Sequence, residues 1–176
     1  MGWEAGKNNS GSSNVLIGYT AGQDLTSASE NVFIGSDAGR NVTTGGEQIA
    51  IGRNALAYNV TGNRNIAIGP GAGMQSGTDT LSNSILIGLN AGSNIADGTS
   101  QFIGIGASVG QNYGGGRGIG IGDAALGGDS TNQDSSSAYN IAMGGETMRG
   151  IAGKASANIV IGFGEAARAI SGSSTS

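Results

Sequence analysis

The chain has 176 residues, 36 of them glycine, with one proline, no cysteine and no histidine, and its formal net charge is −4. This composition excludes a collagen helix, disulfides and cysteine-bound zinc, and it provides no basic patch for nucleic acid. No apolar segment of about 20 residues is present, so the sequence predicts no membrane insertion. The length predicts one domain.

The first element along the chain is NVLIGYTAG, which begins at Asn14, and NVFIGSDAG repeats it from Asn31. Units of this kind begin near residues 14, 31, 48, 65, 84, 102, 118, 140 and 158. In each unit two fixed aliphatic positions flank one variable residue and glycine follows, an alternation that predicts a β-strand. We interpret the fixed aliphatics Ile17, Ile34, Ile51 and their equivalents as core residues.

The remainder of each unit predicts a glycine turn, a second and weaker strand with apolar residues such as Leu25, and a polar turn. The glycine suits a positive φ or a close approach of two backbones. Asparagines before the strand, such as Asn14 and Asn31, predict a side-chain ladder. Glu47 and Arg64 occupy equivalent positions, which favours a surface ion pair.

Repetition with a period of about 17 residues is typical of a solenoid. We therefore expect residues 1–176 to form a single all-β repeat domain, a parallel β-roll or solenoid of about nine to ten short coils. Coils with so few large side chains enclose little volume, which favours packing against copies of the same chain. The opening GWEAG matches the second half of a unit, which suggests a fragment of a longer fibre.

Two stretches, NIAIGPGAG at 65–73 and IAIGRNALAYNVTGNRNIAIG at 49–69, resemble the head repeats of YadA-type trimeric autotransporter adhesins. The IGxxAG units also resemble repeats of phage tail fibres, and the longer coils and the lack of stalk heptads favour this variety. The resemblance implies a homotrimer of left-handed parallel β-rolls. It further implies a structural and adhesive fibre module with flanking fibre domains, on a virion tail or a bacterial surface.

Candidate ligand-binding residues lie in the turns. Trp3, Tyr19 and Phe163 each follow a repeat glycine and could stack on a sugar. A turn position without residue preference is favoured, because Ser36, Arg53, Pro70 and Asp123 also occupy it. Asp129 and Asp134 lie in the insertion GGDSTNQDSSS at 127–137, which together with the segment 74–83 predicts protruding loops. A solvated insertion is favoured there over a calcium loop. The expected partner is a cell-surface glycan or protein.

Enzymatic readings find little support in the residues. NIVIGFGEAARAI at 158–170 has a dinucleotide-like glycine spacing, but the strand is simply the ninth repeat. A hexapeptide-repeat acyltransferase would usually need a histidine base. We predict no enzyme, no catalytic residue, no metal and no cofactor. Two alternatives stay open: a polysaccharide-acting solenoid enzyme, and a single-chain solenoid that binds ice.

Overall fold

The computed structural model describes residues 2–76, 80–95, 100–128, 138–149 and 156–164. Within these ranges the chain is an all-β parallel solenoid without helices. Its strands stack in chain order as one sheet, and each pairs in parallel with the next. The strands are β1 (Val15–Ile17), β2 (Val32–Ile34), β3 (Ile49–Ile51), β4 (Ile66–Ile68), β5 (Ile85–Ile87), β6 (Phe102–Ile105), β7 (Gly118–Ile121), β8 (Asn140–Met143) and β9 (Ile159–Ile161).

The strands lie where the repeat predicted them, and equivalent residues of successive units are register partners throughout. The second strand of each unit, however, was predicted wrongly, since the described residues contain one strand per coil. The reason is local: in the coil after β1, Thr20 and Gly22 both have φ near +55°, at 50° and 59°. Left-handed residues on either side of Ala21 make this segment a tight turn.

The glycine after each of the strands β1 to β8 serves both purposes that the sequence suggested. Gly35 has a φ of 135°, a backbone conformation that residues with a side chain rarely adopt. A Cβ atom there would lie only 2.6 Å from the carbonyl oxygen of Gly52 in the next coil. This column of glycines therefore lets successive coils stack directly on one another.

The interior of the solenoid is filled from the middle position of each strand, not from the fixed aliphatics. Phe33, Ala50 and Leu86 are fully buried, whereas their strand neighbours Ile34 and Ile51 lie on the outer surface of the sheet. The prediction that Ile17, Ile34, Ile51 and their equivalents form the core was therefore wrong. A strand of period two has two faces, and the variable face is the inner one here.

In two neighbouring coils the inner strand residue and a turn residue of the same coil divide the core space between them. Gly39 lies against the ring of Phe33, where an added Cβ would be 2.3 Å from Cε2. In the next coil the sizes are exchanged: Ala50 occupies the strand position and buried Leu56 occupies the turn position. These two coils thus reach a similar core volume with different residues. The coil of β4, by contrast, has Ala67 and Gly73 at the two positions and is filled by Leu56 and Leu86 of its neighbours.

The asparagine ladder predicted from the sequence is confirmed. Asn31 is fully buried, and its Nδ2 donates to Asn14 Oδ1 at 3.1 Å. Its own Oδ1 accepts the backbone N–H of Gln48 at 3.0 Å, and Gln48 Oε1 accepts Asn65 Nδ2 at 3.0 Å. Polar side chains that would otherwise be buried without partners thus link one coil to the next.

Candidate functional surface: the outer face of the sheet

The outer face of the sheet carries two columns of aliphatic side chains, one at each end of the strands. We name them the aliphatic columns. The first contains Val15, Val32, Ile49, Ile66, Ile85, Ile103, Ile119, Ile141 and Ile159, and the second contains Ile17, Ile34, Ile51, Ile68, Ile87, Ile105, Ile121, Met143 and Ile161. None of the eighteen is buried, and exposure in the second column runs from partial to 73% at Ile161.

Strand propensity alone does not explain these columns. Isoleucine and valine favour strands, but so do threonine and tyrosine, which tolerate water better. All eighteen positions nevertheless hold an aliphatic residue or Met143. The adjacent inner position, which must fit the core, changes freely. Uniform apolar character on the side that the chain itself leaves open makes this face a candidate interaction surface.

A margin of exposed or partly exposed residues borders the columns on each side. The N-margin consists of the residues two positions before the first column: Ser13, Glu30, Glu47, Arg64, Asn83, Gln101, Arg117, Tyr139 and Ala157. The C-margin consists of the residues two positions after the second column: Tyr19, Ser36, Arg53, Pro70, Leu89, Ala107, Asp123, Gly145 and Phe163.

Contacts along the N-margin connect neighbouring coils. The expected Glu47–Arg64 ion pair is confirmed, with 3.3 Å between Oε2 and Nε. Both side chains are more than half exposed, so this pair contributes little to stability. Farther along, the Arg117 guanidinium lies 5.5 Å from the centre of the Tyr139 ring. Among the described residues, neither Arg53 nor Asp123 of the C-margin joins an ion pair.

The candidate aromatic residues lie in one column but not at one site. Trp3 and Tyr19 are in adjacent coils, joined by a hydrogen bond from the Thr20 N–H to the Trp3 carbonyl at 2.8 Å. Both rings are exposed, at 72% and 55%. Phe163, 87% exposed, follows the last strand, roughly 38 Å away at about 4.8 Å per strand. Asp129 and Asp134 lie outside the described residues.

A polar cleft opens in the turns beside β7, with a volume of about 320 Å³. Gly127 and Gly128 line it, and so does Gln111, which is the equivalent of Gly127 in the preceding coil. Glu146 and Arg149 line it from the following coil. The sequence did not lead us to predict this cleft, although the two consecutive glycines after Leu126 indicate a place without side chains. Its carboxylate, amide and guanidinium groups suit the hydroxyls of a polar ligand.

One carboxylate of the turns is held in its ionised form. Buried Thr20 donates its hydroxyl to Asp37 Oδ1 at 2.7 Å, and Ser36 donates to Oδ2 at 2.9 Å. The Thr20 hydrogen bond is the largest cause that lowers the pKa of Asp37, with Ser36, Arg40 and Arg53 adding to it. Asp37 therefore stabilises its turn and is not set up as a proton donor at neutral pH.

No group of three or more potential metal-ligating side chains occurs in the described ranges. No helix within them could cross a membrane. Comparison of the chain with protein-family models, with curated proteins and with solved structures gave no match in any of the three cases.

Proposed function

We propose that the chain is a structural and adhesive module of a fibre, in which three copies associate as left-handed β-rolls of nine to ten coils. The aliphatic columns of the three copies face a common axis and exclude water from it. The turns point outwards and are available to a receptor. The module performs no chemistry and belongs on a virion tail or a bacterial cell surface, between further fibre domains.

The observation that supports this assembly most directly is the pair of aliphatic columns on an open face. Nine strands at about 4.8 Å give a strip roughly 38 Å high, and two side chains give it a width of roughly 10 Å. Its area of roughly 400 Å² equals that of the largest apolar patch on a typical monomer, roughly 300–600 Å², a patch that often serves a function. Covering it is worth at most about 10 kcal/mol per chain.

A second copy suits this surface better than an unrelated partner does. The strip repeats in register over the full height of the sheet, and another solenoid of the same chain offers the same spacing. The margins add polar area on both sides, so the apolar strip and its borders approach the roughly 800 Å² per partner of a standard interface. Association of equal copies then follows from the repeat itself.

Adhesion is assigned to the turns, where a trimer presents every site three times. Weak sites gain avidity when one particle engages several of them together. The exposed rings of Trp3 and Tyr19 form one candidate surface for a cell-surface glycan or protein. The polar cleft with Glu146 and Gln111 forms another.

The assembly is tested by light scattering coupled to size exclusion. We expect about three times the chain mass of 17.1 kDa. Ile51→Asp places a charge in the aliphatic columns and should shift the mass to that of one chain. Tyr58→Asp is the matched control, because Tyr58 is similarly exposed, 43% against 36%, but lies in a turn.

A wild-type chain that remains a monomer at all concentrations contradicts the trimer and favours a single-chain surface binder. Equal masses for the two aspartate variants would show that the aliphatic columns do not form the interface. Adhesion is tested separately on a glycan array with Trp3→Ala and Glu146→Ala. Loss of one set of signals in only one variant locates the receptor site, and binding unchanged in both variants excludes both surfaces.

A further inference from the structure

The polar cleft beside β7 is a groove across the turns that a single coil leaves open. Gly127 has no side chain, whereas the equivalent residues of the coils before and after it are Gln111 and Arg149. Three positions earlier the coil of β7 carries the small Ala124, and the equivalent residue of the following coil is Glu146. The coil of β7 therefore forms the floor of the groove, and the longer side chains of its two neighbours form the walls.

The size of the groove suits one small ring, and its floor does not suit a peptide. A ligand at the level of β7 would lie about 4.8 Å from the coil on either side, as a stacked coil does. The volume of about 320 Å³ is at the lower end of the range for small-molecule sites. The Gly127 N–H donates to the Ala124 carbonyl at 3.3 Å, and the Gly128 N–H donates to the Gln111 carbonyl at 2.8 Å. These donors of the floor are therefore not available to pair with an extended peptide, so side chains must hold the ligand.

The side chains of the walls suit hydroxyl groups and disfavour an acidic ligand. Gln111 and Asn112 carry amides that both donate and accept hydrogen bonds, and the Glu146 carboxylate only accepts them. The Arg149 guanidinium lies 3.9 Å from Glu146 and offsets its charge. Because Asp123 also lines the groove, two carboxylates against one guanidinium leave one negative charge in excess. A neutral polyhydroxylated ring offers donors and acceptors together, whereas an acidic ligand would meet a like charge.

We infer that this groove binds one neutral sugar ring of a glycan, held by Gln111 and Asn112 on one wall and by Glu146 on the other. The inference rests on the proposed adhesive function and specifies its site and ligand class: a glycan and not a protein, and a neutral sugar and not an acidic one. Every group that contacts the sugar belongs to one chain, so the site does not depend on a second copy. A single ring held by a few hydrogen bonds should bind weakly, with a dissociation constant on the order of 1 mM.

Saturation-transfer NMR with dissolved sugars tests the groove directly. The probes are the methyl glycosides of glucose, galactose, mannose and N-acetylglucosamine, with N-acetylneuraminic acid as the acidic comparison. We expect transfer to at least one neutral glycoside and none to the acid.

Gly127→Gln should abolish this transfer, because it gives the floor the side chain of the equivalent Gln111 and fills the groove. The backbone can accept the change. Gly127 does not have a left-handed φ, and an added Cβ would lie 3.2 Å from the Ala124 carbonyl oxygen and 3.6 Å from Arg149 Cγ. Gln111 already carries a side chain while its N–H makes the equivalent hydrogen bond, to the Ser108 carbonyl at 3.2 Å.

Gly116→Gln is the matched control, because an added Cβ at Gly116 has no atom within 4 Å and this residue does not line the groove. It should bind sugar like the wild type. Glu146→Gln keeps the shape of the side chain but removes its charge, and should weaken binding by about tenfold or more. This exposed substitution carries the test if circular dichroism shows that Gly127→Gln does not fold.

Several results would overturn the inference: no transfer to any neutral glycoside, equal transfer to the acid, or wild-type binding in folded Gly127→Gln or in Glu146→Gln. A loss in Gly116→Gln equal to that in Gly127→Gln would do the same. Failure of the groove can be distinguished from failure of the fibre. A trimer that binds no sugar contradicts the groove alone, whereas a monomer that binds a neutral sugar supports the groove and contradicts the trimeric fibre.

Discussion

The exchange of volume between strand and turn inside the solenoid can be tested by transplanting it from one coil to another. Phe33 and Gly39 fill the second coil, whereas Ala50 and Leu56 fill the third. The double variant Phe33→Ala with Gly39→Leu gives the second coil the arrangement of the third. Its total side-chain volume stays nearly constant, and both positions keep backbone conformations observed next door, since φ is 58° at Gly39 and 53° at Leu56.

The single variants should each be costly. Phe33→Ala leaves a cavity in a fully buried site and should lower the free energy of unfolding by about 3–5 kcal/mol. Gly39→Leu adds left-handed strain of about 1 kcal/mol. It also drives a side chain into the Phe33 ring, where even a Cβ would lie at 2.3 Å, which adds about 1–3 kcal/mol. The double variant should lose about 2 kcal/mol or less.

Urea unfolding followed by circular dichroism, at one fixed protein concentration, measures these differences. The control pairs Phe33→Ala with Gly92→Leu, a substitution against Leu86 at the same turn position of a distant coil. The changes in the free energy of unfolding from these two substitutions should add, because the two sites share no contact. If Phe33→Ala with Gly39→Leu is also additive within about 0.5 kcal/mol, the volume compensation is refuted.

Two further predictions concern buried polar groups. Asn31→Ala removes the acceptor at 3.0 Å from the Gln48 N–H and should cost about 1–3 kcal/mol in urea unfolding, whereas the exposed Asn63→Ala should cost less. Burial raises the pKa of Tyr113 above its ordinary 10.0, partly offset by a hydrogen bond from Asn140. The stability that protonated, buried Tyr113 contributes is therefore complete below pH 10 and is lost as the pH rises through the folded-state pKa. The variant Tyr113→Phe should reduce the alkaline fall in melting temperature. An unchanged fall contradicts this prediction.

The sequence by itself determined the repeat, and with it the positions of the strands. The glycine after each strand and the asparagines before it have chemical requirements that one residue type meets, so their roles could be read locally. Gly35 is an example, with a φ of 135° and no room for a Cβ. The ladder from Asn14 to Asn31 is another.

Only the tertiary structure decided which face of the strand is inside. Alternation of apolar residues marks two faces but does not order them when both are apolar, as in Ile-Ala-Ile. The inner face became visible once the turn was known to place Gly39 against Phe33 and Leu56 in the coil of Ala50. A core position must share its volume with distant residues and therefore varies. Nothing inside the chain limits the size of the aliphatic columns, so their constancy has no cause within one chain and accords with the proposed association of copies.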